Sequence, residues 1–88
     1  MNYSSTTIKE KVKFWILNES YAGNDKIQND TLIFNQGYLD SMGFIMLIAF
    51  IEEEFKFKTS EEDLIEQNFE SINAISDFIE KKVKDLLN

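Results

Sequence analysis

Residues 37–55 read GYLDSMGFIMLIAFIEEEF. A turn at Gly37 leads to Ser41 at the head of a helix, an unbroken apolar run follows from Phe44 to Ile51, and glutamates 52–54 precede Phe55. At 3.6 residues per turn, Phe44, Leu47, Ile48, Ile51 and Phe55 share one face, which is the core side. The opposite side carries Met42, Met46, Ala49 and Glu53, with Ile45 and Phe50 at its margins. A helix apolar nearly all round is either buried all round or offers a contact patch to another protein. A small domain has little room for the first arrangement, and methionine, which adapts its shape, suits the second. Serine is a preferred helix N-cap, so the simplest role for Ser41 is a cap with no chemistry attached.

Upstream, Thr7-Ile8-Lys9-Glu10 has the form of a capping box, with Thr7 capping and Glu10 reaching back. Ile8, Val12, Trp15 and Ile16 then fall on one helical stripe, while Phe14 and Leu17 fall off it. Between Ser20 and Asp40 the periodicity fades and turn residues gather at Gly23-Asn24-Asp25, Asn29-Asp30 and Asn35-Gln36-Gly37. Ile27, Leu32, Ile33, Phe34 and Leu39 within this long loop are expected to pin it to the core. A calcium loop counted from Asp25 fails, since its sixth position is Asp30 where glycine is required and its twelfth is Gln36 where glutamate is required.

Downstream, Thr59 or Ser60 ahead of Glu61-Glu62-Asp63 predicts a short helix around Leu64 and Ile65, broken by Gln67-Asn68. Ser71 is placed to cap a last helix in which Ile72, Ile75, Ile79, Val83 and Leu86 keep helical spacing. Lys81, Lys82 and Lys84 stand towards its negative end. No strand alternation stands out. The reading is an all-α fold: a small antiparallel bundle of three main helices plus one short helix, with a long loop between helices one and two, in a single domain spanning residues 1–88.

The totals narrow the function. Nine Lys and Arg against 16 Asp and Glu give a net charge of −7. That balance argues against nucleic acid, which needs clustered cations, and against an anionic membrane surface. No cysteine and no histidine are present. A disulfide framework, a thiolate metal site and the usual general base are therefore excluded. The start of the chain lacks the pattern of a signal peptide, and the longest apolar run is far too short to span a bilayer. A cytoplasmic monomer with no membrane insertion is expected.

As a nucleophile Ser41 would need a neighbouring base. No His exists to supply one, and no Lys or Arg lies between Lys26 and Lys56. Glu52-Glu53-Glu54, being consecutive on a helix, point in different directions and form a solvated acidic surface rather than an acid/base pair. The chain is thus not an enzyme. Another enzyme could instead esterify the Ser41 hydroxyl with a phosphate-linked group, because a helix N-terminus tolerates negative charge. The attached group would then carry the reactive atom that the polypeptide lacks.

At Leu39-Asp40-Ser41-Met42 the chain resembles the acyl and peptidyl carrier proteins, which bear phosphopantetheine on the serine of an Asp-Ser-Leu motif; methionine stands here in the leucine position. Ile51-Glu52-Glu53-Glu54-Phe55 is similar to that family's second-helix ending. Phe69-Glu70-Ser71-Ile72, with Ala74-Ile75 and Phe78-Ile79, is similar to its fourth-helix opening, and Ile8, Val12 and Ile16 fit its first helix. The resemblance implies phosphopantetheine, donated by coenzyme A and held covalently on Ser41, with Asp40 helping a phosphopantetheinyl transferase engage. It also implies that Met42, Ile45, Met46, Ala49, Phe50 and Glu53 form a partner-binding side.

Fatty-acid-type carriers place acidic residues early in helix two, where this chain has Gly43, Ile45 and Met46. The string Gly37 to Gly43 looks closer to D-alanyl carriers and to stand-alone peptidyl carriers. The implied function is a stand-alone carrier holding an acyl or aminoacyl group as a thioester on the arm. It would be loaded by an adenylating or acyl-loading synthetase and would serve downstream acyl- or aminoacyl-accepting enzymes of a biosynthetic pathway. The alternative is an acidic helical adaptor without a prosthetic group, docking through the same apolar residues.

Overall fold

A computed structural model describes residues 4–20 and 26–87. Four α-helices follow in order: α1 (Ser5–Glu19), α2 (Ser41–Phe55), α3 (Glu66–Phe69) and α4 (Ile72–Leu87). The bounds of α2 are those expected. The cap of α1 is not. Ser4, rather than Thr7, is the N-cap: its Oγ accepts the Thr7 amide at 3.1 Å, and the Ile8 amide closes onto the Ser4 carbonyl at 3.0 Å. Both residues can cap, but capping at Ser4 adds backbone hydrogen bonds that a start at Thr7 would forgo.

Ile8, Val12 and Ile16 of α1 are wholly buried. Trp15, expected on the same stripe, lies at its margin, half-buried and stacked on Phe50 with ring centroids 5.3 Å apart. Lys11 pairs with Glu54 at 3.1 Å, so α1 and α2 run in opposite directions, 11 against 54 and 15 against 50. Leu17 packs onto the core, whereas Phe14 is 71% exposed.

The loop between α1 and α2 is pinned as its apolar residues predict, through buried Ile27, Ile33 and Leu39; Leu32 is the exception and points outward. Backbone bonds complete the attachment. The Ile33 amide donates to the Glu70 carbonyl at 3.0 Å, and the Asn73 amide donates to the Asn29 carbonyl at 2.9 Å. Gly37 closes the turn before Ser41 at φ +81, a left-handed conformation that a side chain would strain. The Gly23-Asn24-Asp25 turn, and with it the start of the excluded calcium loop, lies outside the described residues.

A run of edge-to-face rings fills the middle of the bundle: Phe34 on Phe44, Phe44 on Phe69, Phe69 on Phe78 and Phe78 on Phe57, at centroid separations of 5.0–6.0 Å. Such pairs add to the area they bury. Ile72, Ile75, Ile79 and Val83 of α4 join this core. Leu86, assigned to the same stripe, is 61% exposed because it lies a turn beyond the residues that α4 packs against.

The third element also differs from expectation. Residues Glu61–Asp63 form one 3-10 turn, while Leu64 and Ile65, the expected helix centre, are exposed. Gln67 and Asn68, read as breakers, lie inside α3. The cause is Asp63. Its carboxylate folds back to accept the Ser60 amide at 2.9 Å, and its carbonyl accepts the Ile65 amide and Asn68 Nδ2, so no helical bond continues through it. Ser71 does cap α4, accepting the Ala74 amide at 3.1 Å.

Two carboxylates staple these connections, and both are held below their ordinary pKa range. Glu52 is lowered chiefly by the Thr59 amide and then by its hydroxyl, which donate at 2.8 and 2.7 Å; Asp63 is lowered chiefly by Lys82, at 2.8 Å. A carboxylate with a depressed folded pKa contributes stability above its unfolded value, about pH 4, and loses it as pH falls through the folded one. The double variant Glu52→Gln/Asp63→Asn is therefore expected to have a lower urea midpoint than the parent at pH 7. That gap should close as both are taken from about pH 4 downward. A gap independent of pH would contradict the assignment.

Candidate functional site

Ser41 is the first residue of α2, and its side chain is exposed. Capping falls to Asp40, in extended conformation, whose Oδ1 accepts the Gly43 amide at 2.9 Å while its carbonyl accepts the Phe44 amide at 2.9 Å. The capping role open to Ser41 in the sequence thus belongs to its neighbour. Leu39 behind it is buried, and Gly43 lets it stay close: a Cβ on Gly43 would come within 3.2 Å of Leu39 Cδ2. The serine is held on a fixed turn between a buried Leu39 and a core-facing Phe44, with its hydroxyl left outside.

The first turn of α2 contains no acidic side chain. The positive end of the helix dipole therefore faces solvent beside the hydroxyl, with the Asp40 carboxylate already engaged as the cap. A phosphodiester on Ser41 Oγ would meet exposed space and partial positive charge, so the residues present fit a phosphate-linked group. Among the described residues no cluster of His, Cys, Asp and Glu could hold a metal ion, and no helix is long and apolar enough to cross a membrane.

Along α2, Met42 (62%), Ile45 (61%), Met46 (46%), Ala49 and Glu53 are exposed. Phe50, placed with them in the sequence, is half-buried: one side stacks on Trp15 and its ring also meets Phe55 edge-on at 6.3 Å. The exposure of Leu64 and Ile65 was not foreseen in the sequence, where they stood at the centre of an expected short helix. The signal was present in the polar residues on either side, 61–63 and 66–68, which leave Phe69 as the one apolar residue three or four positions from either.

Residues 19–79 match the family model described as phosphopantetheine attachment site. The chain belongs to this family of carrier proteins. An acyl carrier protein of Buchnera aphidicola subsp. Baizongia pistaciae (strain Bp) is 32% identical over 76 residues, covering 86% of this chain and 95% of that protein. In fold the carrier is similar to the chain seen in the crystal structure of an engineered Bradyrhizobium japonicum glycine:[carrier protein] ligase complexed with a carrier protein from Agrobacterium tumefaciens and ATP. That likeness has a TM-score of 0.72 at 23% identity and covers 84% of this chain and 97% of the other. The four-helix arrangement is thus the carrier-protein fold. Phosphopantetheine is the prosthetic group of the family, and a carrier is a non-catalytic subunit that works with separate enzymes.

Proposed function

We propose that the Ser41 hydroxyl is the point at which phosphopantetheine is esterified, and that the carrier delivers an acyl or aminoacyl group between enzymes. One observation carries the assignment: at the head of α2 the hydroxyl is exposed and relieved of capping by Asp40. The bound group supplies a thiol, which a chain without cysteine cannot provide. The polypeptide's contribution is position. Asp40 fixes the first turn and presents a carboxylate beside the hydroxyl for the transferase, and buried Leu39 anchors the approach. Residues 1–88 act as a single carrier domain, monomeric and cytoplasmic. Incubating the purified chain with coenzyme A, magnesium and a broad-specificity phosphopantetheinyl transferase should add one phosphopantetheine to its intact mass. An unchanged mass would refute the proposal.

For loading we propose an adenylating ligase of the kind seen with the structurally similar carrier. The side of α2 next to Ser41 supports this reading, because Met42, Ile45, Met46 and Ala49 offer apolar contact with Glu53 as their one acidic member. Met46→Glu sets a charge in the middle of that patch. It should lower kcat/KM for loading about tenfold or more, the loss of roughly 1.4 kcal/mol of contact. Helix content should stay unchanged, since Met46 is 46% exposed and is not part of the hydrophobic core. Equal loading of the variant and the parent would remove this face from the docking surface.

A further inference from the structure

A second feature lies away from Ser41. Between α1 and α2 runs a groove of about 530 Å³, floored by Phe14, Trp15 and Phe50 and rimmed by Glu10, Glu19 and Glu54. Phe14 stands 71% exposed there, beside the stacked pair of Trp15 and Phe50. An aromatic side chain so bare on a small domain has no role in this core, and aromatic residues are the usual anchors of protein contacts.

Charge specifies the occupant. The one cation at the groove, Lys11, is drawn onto Glu54 at 3.1 Å, while Glu10 and Glu19 have no ion pair among the described residues. Lys9 lies roughly 140° around α1 from Phe14, on the opposite flank. Lys13, three residues beyond Glu10, borders that carboxylate on the side away from the groove and forms no ion pair with it among the described residues. The groove is also separate from the serine. Phe50 is about 13 Å further along α2 than Ser41 and roughly half a turn around the axis, so a molecule seated there leaves the hydroxyl uncovered.

We infer that this groove docks a partner-protein segment with a basic amphipathic helix, its apolar side chains set against Phe14, Trp15 and Phe50 and its Lys or Arg residues against Glu10 and Glu19. Docked in this way, the partner holds the carrier while the head of α2 stays open to another enzyme. The groove follows from the α1–α2 packing alone and does not depend on Ser41 being the attachment site.

Trp15 is the sole tryptophan of the chain, so its emission reports the groove directly. The full-length chain would be titrated with a synthetic helical peptide carrying Leu along one face and Lys along the other, and with a twin carrying Glu in place of Lys. The expected result is a saturable blue shift of Trp15 emission with the Lys peptide. Phe14→Ser, Glu10→Gln/Glu19→Gln, or a rise to about 0.5 M salt should each weaken it on the order of tenfold. Phe14→Ser removes an exposed ring, so its circular dichroism should match the parent.

The peptide should also leave the rate of phosphopantetheine transfer to the chain unchanged. Equal binding of the two peptides, an unmoved Trp15 emission, or undiminished binding by Phe14→Ser would each overturn the inference. So would a chain that sediments as a dimer and reverts to monomer in Phe14→Ser, because the groove would then be filled by a second copy.

Discussion

Phe69→Ala is expected to lose about 3–5 kcal/mol of folding stability, the usual cost of emptying a phenylalanine site in a close-packed core. Phe69 is 1% exposed and is the ring on which both Phe44 of α2 and Phe78 of α4 pack, at 5.5 and 5.0 Å. A domain of 88 residues has roughly 4–13 kcal/mol in total, so the loss consumes much of it. At about 4–8 °C per kcal/mol, the Tm should fall by roughly 12–40 °C. Phe14→Ala is the matching control. Its ring is largely in water, and its unfolding free energy should stay within about 0.5 kcal/mol of the parent. If Phe69→Ala cost less than about 1 kcal/mol, the aromatic run would not be what joins α2, α3 and α4.

Ser41→Ala should abolish phosphopantetheine incorporation while leaving the fold intact. Alanine has no oxygen to esterify, and nothing in the first turn of α2 depends on the lost hydroxyl, because the cap hydrogen bond runs from the Gly43 amide to Asp40. Alanine is also the better helix former, so stability should hold or rise slightly. Three other serines do not offer a substitute. Ser71 and Ser76 are buried, and Ser60 sits beside a 3-10 turn and donates its amide to Asp63. Ser60→Ala should therefore accept the group at the parental rate. Asp40→Ala should separate the two duties of that residue, losing about 1 kcal/mol of helix capping on top of any loss of transfer. A Ser41→Ala chain that still gained the group would move the site elsewhere.

The elements the sequence showed most clearly were those fixed by spacing. The Ile8-Val12-Ile16 stripe of α1 and the isoleucines of α4 follow from helical period and are buried; on the core face of α2, Leu47, Ile51 and Phe55 are buried, while Phe44 and Ile48 are partly buried against the core. Where two local solutions compete, spacing does not choose between them. Ser4 and Thr7 can both cap α1, and the longer helix won. Leu64 and Ile65 had the composition of a buried helix centre, but the backbone and side-chain bonds around Asp63 stop the helix there. Leu86 kept the right spacing past the point where α4 has anything to pack against.

The site divides in the same way. Ser41 at the head of a helix was legible from local pattern, whereas the division of labour that leaves its hydroxyl unused as a cap depends on the backbone of Asp40. Phe14, off its stripe, was visible in sequence as an unexplained residue. The groove beside it forms only when α1 and α2 pack side by side, and no spacing along one helix encodes that.

The most direct test is fragmentation mass spectrometry of the wild-type chain after transferase treatment, reading which residue bears the added mass. Every fragment containing Ser41 should carry phosphopantetheine, and fragments ending at Asp40 or beginning at Met42 should not. Phosphopantetheine found on any other residue, with Ser41 unmodified, would contradict it.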